Sequence, residues 1–115
     1  EPGMWSTSCS GHVDSGETYD PAAQRELGEE LGIFLPAPPA RWFRIKPCAE
    51  TGWEFCLVYR LQHDGPFTLH PEEIEAGAWI TLEELNARLK SQPRTFAISF
   101  RLVWLMASAE LAKAE

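Results

Sequence analysis

Glu26, Glu29 and Glu30 stand at i, i+3 and i+4, the spacing that makes side chains neighbours on a helical surface. The surrounding residues predict that helix. Asp20 is a good N-cap, and Pro21 sits where a first helical residue tolerates a missing N–H. Residues 22–31 are mostly good helix formers, and Gly32 is placed for a C-terminal stop. Ala23, Leu27 and Leu31 recur every four residues and form the expected buried stripe, which leaves the three carboxylates crowded on a different face. Like charges at this spacing cost about a few tenths of a kcal/mol per pair, and Gly28 in mid-helix costs roughly 1 kcal/mol relative to alanine. A helix with those penalties calls for a compensating cation. Hard divalent ions such as Mg²⁺ or Mn²⁺, which take oxygen ligands, suit it. Glutamate-rich helices are more often simply solvated. The glycines at 11 and 16 in the preceding loop, which permit unusual backbone angles or close approach, and Arg25 beside the carboxylates argue against that reading here.

The full pattern is longer than the cluster. Gly11 is followed by five residues and Glu17, then seven residues and Arg25-Glu26-Leu27, a spacer, Glu29-Glu30, a spacer, and Gly32-Ile33. Written GX5EX7REUXEEXGU, with U aliphatic, residues 11–33 resemble the signature of the Nudix hydrolases, which cleave nucleoside diphosphates linked to another moiety. The resemblance implies an α+β fold, an α/β/α sandwich with a mixed sheet, and one domain over residues 1–115. It makes Glu26, Glu29 and Glu30 metal ligands, with the backbone carbonyl of Gly11 completing the set, and places Glu26 beside the attacking water. Arg25 would orient the carboxylates through charge-assisted pairs, and Glu17 would brace the loop. Mg²⁺ or Mn²⁺ would neutralise pyrophosphate charge, orient the water and lower its pKa. Residues 71–85, PEEIEAGAWITLEEL, look like the acidic loop and Trp-bearing strand of many Nudix domains. There a glutamate adds a ligand or a base, and of Glu72, Glu73 and Glu75 the last is the first choice. The catalytic set expected from the resemblance is thus Arg25, Glu26, Glu29 and Glu75.

The resemblance also implies a strand hairpin ahead of residues 2–5, and with Glu1 standing almost at the signature an N-terminally truncated fold is expected. An N-terminally truncated fold would expose a sheet edge and part of its core. A homodimer or higher oligomer covering the gap is therefore expected, and with it a risk that the substrate cleft is incomplete. Two other function classes share the fold. Isopentenyl diphosphate isomerases use a cysteine directly before the Gly-His pair, where this chain has Ser10. Cys9 is one place off, which on a strand faces the opposite side. A noncatalytic binding or interaction module is the other.

The remaining elements are coarser readings. Residues 4–10 suggest a short strand running into the loop. Pro36, Pro38 and Pro39 make a connector. Residues 41–48 and 53–61 read as strands, the second alternating Trp53, Phe55, Leu57, Tyr59 and Leu61 against Glu54, Cys56, Val58 and Arg60. Residues 64–66 break it. A strand is expected at 78–80, then a helix to about Lys90 with Thr81 and Glu84 as a capping box, and a last helix over about 95–112. Glu54 and Arg60 are substrate candidates on the less apolar strand face. Trp5 is a candidate stacking platform, whereas Trp42, Trp53, Trp79 and Trp104 are expected in the core. His12 is expected to order its loop, and His63 and His70 to be exposed.

The chain has 115 residues and a net charge of −7, which argues against nonspecific binding to nucleic acid or anionic membrane. It does not argue against a small nucleotide or phosphate ester brought in by metal. Cys9, Cys48 and Cys56 lack CxxC spacing, so buried thiols in a reducing cytoplasm are expected rather than a disulfide framework or zinc site. The apolar run at 96–109 is too short to span a bilayer, and no basic leader segment is visible.

Overall fold

The computed structural model describes residues 3–10, 18–72 and 74–113. Gly11, His12, Gly16, Glu17 and Glu73 lie outside these, and so do the readings made on them. The elements in chain order are α1 (Tyr19–Leu31), β1 (Ala40–Ile45), β2 (Cys56–Arg60), α2 (Leu82–Ser91) and α3 (Ile98–Lys113), with short 3₁₀ turns at Ala49–Thr51 and Pro93–Thr95. Helices with a two-stranded antiparallel sheet of β1 and β2 give the expected α+β class. The chain divides into two compact units. One comprises Glu1–Thr7, Lys46–Cys56 and Ala78–Glu115, and the other Ser8–Ile45 and Leu57–Gly77.

The second unit holds α1. This helix starts two residues earlier than its sequence suggests, with Thr18 in extended conformation at the N-cap and no side-chain cap bond. Asp20, the expected cap, lies inside the first turn. Its Oδ1 accepts from Arg41 Nε at 2.8 Å and from the Tyr59 hydroxyl at 2.6 Å. A charged, doubly donated carboxylate gains more there than it would from one backbone N–H, so tertiary pairing overrides the local cap signal. One residue thereby ties the start of α1 to a residue of each strand. The helix ends as expected. Gly32 adopts φ 68°, its N–H donates to the Gly28 carbonyl, and the Ile33 N–H reaches back to that of Leu27. This left-handed stop satisfies carbonyls that a helix end leaves orphaned. Residues 68–70 take up the next two: Thr68 N–H donates to the Leu31 carbonyl and His70 N–H to that of Glu30, both at 2.9 Å. Gln24 Nε2 also holds the connector by donating to the Leu35 carbonyl at 2.8 Å. Ala22, Leu31, Ile33, Pro39 and Ile45 are buried apolar residues of this unit, whereas Ala23 and Leu27 of the expected stripe are half-buried.

In the first unit, the expected N-terminal strand reduces to Trp5, which forms an isolated parallel bridge with Phe96. Its N–H donates to Thr95 and its carbonyl accepts from Ala97, each at 2.9 Å. The core gathers Leu85, Phe96, Ala97 and Ala107. Thr81 caps α2, its hydroxyl accepting from Glu84 N–H at 3.1 Å, while the Glu84 carboxylate pairs with Arg88. Trp104 of α3 donates to Asn86 of α2 at 2.7 Å.

Two strand expectations need correction. β2 begins at Cys56, not at residue 53, because Gly52 and Trp53 have φ of 67° and 64°, a conformation that no strand accommodates. They close the 3₁₀ turn, with Trp53 N–H on the Cys48 carbonyl at 2.7 Å. Glu54 therefore precedes the strand instead of lining one of its faces. Residues 78–80 form no strand. Trp53 and Trp79, expected in the core, are 71% and 72% exposed. The three cysteines are free thiols, each half-buried, and no described helix is long and apolar enough to cross a membrane.

Candidate active site

Arg25, Glu26, Glu29 and Glu30 come together on the C-terminal half of α1. Nη1 of Arg25 lies 2.9 Å from Glu26 Oε1 and also 2.9 Å from Glu29 Oε2. Each oxygen touches the same nitrogen, so the two carboxylates stand within twice that distance of one another, with a positive group between them. The pair with Glu29 is the i,i+4 contact that helical spacing provides. Glu29 is the outermost member, its side chain 54% exposed against 18% for Glu26.

Glu30 is the buried member at 7% exposure. Its Oε2 accepts from the Cys9 thiol at 2.7 Å and from the Ser10 backbone N–H at 3.2 Å. Both donors come from the segment just ahead of Gly11 in sequence, which ties that segment to the helix. Burial first, and then the hydrogen bond to Glu30 and the nearby carboxylates, push the Cys9 thiol well above its usual range. Cys9 is accordingly a protonated donor. The sequence contained a signal for this burial: Glu30 follows Ala23 by seven residues, two helical turns, and so shares the apolar stripe more closely than the face of Glu29.

The electrostatics of this half-helix favour a cation. Its C-terminal end carries the negative pole of the helix dipole, three carboxylates, and no basic residue in the last turn. The donors are oxygens, the chemistry a hard divalent ion takes, and the Arg25 guanidinium already holds a positive charge between two of them. Among the described residues no three His, Cys, Asp or Glu side chains are gathered as a ready cage. A bound ion would therefore take carboxylate oxygens from Arg25. The residues fit such an ion by chemistry and charge, with that exchange of partners.

The other candidates are placed as follows. Glu75 is exposed, five residues beyond His70, whose N–H sits on the Glu30 carbonyl. Arg60, at the end of β2, lies over the Trp42 ring at 5.0 Å, a cation–π contact that engages its guanidinium. Trp5 and Glu54 belong to the other unit; Trp5 is 41% exposed, and the Glu54 carbonyl accepts from the Thr51 hydroxyl. His63 and His70 are half-buried rather than exposed, each Nδ1 accepting a backbone N–H two residues ahead, at 2.9 and 3.2 Å. The Asp20 cluster, which sequence reasoning missed, has marked electrostatics. Hydrogen bonds from Arg41 and then Tyr59 hold the Asp20 carboxyl below its ordinary value of 3.8, while partial burial and the same bond push the Tyr59 hydroxyl up.

Comparisons with known proteins agree with the signature. A family model described as the NUDIX domain matches residues 1–100. The chain is 32% identical over 108 residues to isopentenyl-diphosphate Delta-isomerase 2 of Aromatoleum aromaticum, covering 91% of this chain and 54% of that one. It is 37% identical over 89 residues to a Nudix hydrolase of Deinococcus radiodurans, covering 76% and 52%. To an uncharacterized Nudix hydrolase of Yersinia pestis it is 40% identical over 91 residues, covering 76% and 47%. The chain thus spans about half the length of these curated relatives. No solved structure matches significantly. With the signature spacing on α1 and a family match over residues 1–100, the chain belongs to the Nudix family.

Proposed function

We propose that this chain supplies the metal-binding helix of a divalent-metal-dependent hydrolase acting on a nucleoside diphosphate linked to another moiety, or on a related pyrophosphate. The observation that carries the reading is the Arg25 bracket on Glu26 and Glu29, 2.9 Å to each, beside the buried carboxylate of Glu30. Glu26, Glu29 and Glu30 would hold Mg²⁺ or Mn²⁺. When bound, the ion neutralises phosphate charge and makes water a better nucleophile at neutral pH. Glu26, the more enclosed of the two bracketed carboxylates, accepts the proton of the attacking water, and Glu75 is a second base. Arg25 keeps Glu26 and Glu29 from repelling one another and fixes their orientation. Substitution at phosphorus then releases a nucleoside phosphate or similar group. Arg60, in the same unit as α1, is the proposed substrate contact.

The isomerase relatives support a second reading, since their match covers 91% of the chain. Against it, Ser10 stands where the resemblance puts the isomerase cysteine, and the Cys9 S–H is directed to Glu30. A panel of nucleoside diphosphate derivatives and isopentenyl diphosphate, each incubated with Mg²⁺, Mn²⁺ or chelator and followed by phosphorus NMR, separates the readings. Metal-dependent release of phosphate products supports hydrolysis. Conversion of isopentenyl diphosphate without phosphate release would replace it with isomerisation, and metal binding with neither reaction would leave a binding module.

A further inference from the structure

A buried carboxylate that is to serve a cation needs its orientation fixed by something other than the cation. At Glu30 that support comes from residues the signature does not include. The Cys9 thiol donates to Oε2 at 2.7 Å, and the Ser10 N–H donates to the same oxygen at 3.2 Å. The two donors are consecutive in sequence and 21 and 20 residues from Glu30, so they define one oxygen's position from outside the helix. Glu26 and Glu29 have Arg25 for this purpose; Glu30 is 7% exposed, where water replaces a lost donor less readily than at the surface. Removing a hydrogen-bond partner from a buried charged group costs more than removing one at the surface. Partners behind a metal ligand alter affinity about 10–100-fold when removed.

We propose that Cys9 is a positioning residue of the metal site: its S–H, with the Ser10 N–H, holds the Glu30 carboxylate in the orientation that receives the divalent ion. Cys9 is thus neither nucleophile nor ligand, and a hydroxyl can replace it. This rests on the reading of Glu30 as a metal ligand.

The test is Mn²⁺ affinity, measured by electron paramagnetic resonance titration of free ion, on the unaltered chain, Cys9→Ala, Cys9→Ser and Glu30→Gln, each checked by thermal melting. Cys9→Ala is expected to weaken Mn²⁺ binding about tenfold, with Cys9→Ser restoring most of it and Glu30→Gln weakening it at least as much as Cys9→Ala. Cys9→Ala binding as tightly as the unaltered chain, while Glu30→Gln binds weakly, overturns the positioning role and leaves the metal site standing. Unchanged binding in Glu30→Gln overturns the metal reading itself, and the inference with it. A Cys9→Ser chain as weak as Cys9→Ala also overturns it, because donor replacement would then not suffice. Should Cys9→Ala fail to fold, a disulfide-forming methylthio reagent is applied to a chain with Cys48→Ser and Cys56→Ser, and affinity is read only on protein whose mass shows Cys9 capped. Loss of affinity that thiol reduction reverses supports the role, and affinity unmoved by capping overturns it.

Discussion

One guanidinium nitrogen serves two carboxylates at Arg25, and on the proposed reading the consequence is functional more than structural. The pairs are partly exposed, with Glu29 at 54%, and exposed ion pairs contribute about 0–1 kcal/mol. What the bracket supplies is the relative placement of Glu26 and Glu29. Arg25→Ala is therefore expected to lower turnover about 10–100-fold while the melting temperature stays within a few degrees. Arg25→Lys should recover little of the loss, because an ammonium is a point charge on a flexible stem and lacks the planar fork. Turnover unchanged in Arg25→Ala would remove the residue from the site. At this scale the sequence was informative where chemistry is local: three glutamates at helical spacing with an adjacent arginine are visible in a single turn and a half. The donors on Glu30 were not visible, because they arrive from 20 and 21 residues away.

At the scale of elements, α1 is set by its two ends, and each end makes a prediction. Gly32 holds φ 68°, and a Cβ there would lie 2.9 Å from Thr68 Cβ. Gly32→Ala is expected to destabilise by about 1–2 kcal/mol from the left-handed backbone alone, measured by denaturant unfolding. Gly28 differs. A Cβ would meet only the Phe34 ring edge at 2.9 Å and ordinary contacts beyond it, and Phe34 is 84% exposed and able to swing away. Gly28→Ala should be neutral to stabilising by up to about 1 kcal/mol; a clear loss would show that the Phe34 contact is fixed. At the other end, the Asp20 carboxyl lies below 3.8 when folded, so the unfolded chain binds more protons as pH falls past that value. Its contribution is present above 3.8 and is lost as pH drops through the lowered folded value. Tyr59 runs the opposite way: its raised value means that a contribution present below 10.0 is lost as pH rises beyond it. Denaturant midpoints against pH should show a shallower acid limb in Asp20→Asn and a shallower alkaline limb in Tyr59→Phe; an unchanged acid limb in Asp20→Asn would contradict the account.

The same elements show where local sequence patterns stop. The Gly32 stop and the Thr81 cap were legible because each is satisfied within a few residues of itself. The N-terminus of α1 was misread, since Asp20 is claimed by Arg41 and Tyr59, 21 and 39 residues on. The alternation over 53–61 likewise took no account of the turn that Gly52 and Trp53 close.

For the whole molecule, the proposed ion is a ligand of the folded chain and must shift its stability by mass action. At about 100 times its dissociation constant, an ion bound only by the folded state adds roughly 2.7 kcal/mol. The melting temperature should rise with Mn²⁺ in the unaltered chain and stay level in Glu26→Gln with Glu29→Gln. An equal rise in both would place the ion elsewhere. The net charge of −7 adds a diffuse attraction for cations that salt screens, so the comparison belongs at constant ionic strength.

The central claim is that α1 directs water onto phosphorus. Its most direct test is hydrolysis of a nucleoside diphosphate derivative with Mg²⁺ in ¹⁸O-labelled water, comparing the unaltered chain with Glu29→Gln. The account predicts label in a phosphate product of the unaltered chain and turnover lost in Glu29→Gln. Undiminished, labelled turnover in Glu29→Gln, or no turnover in the unaltered chain across the substrate panel, would contradict it.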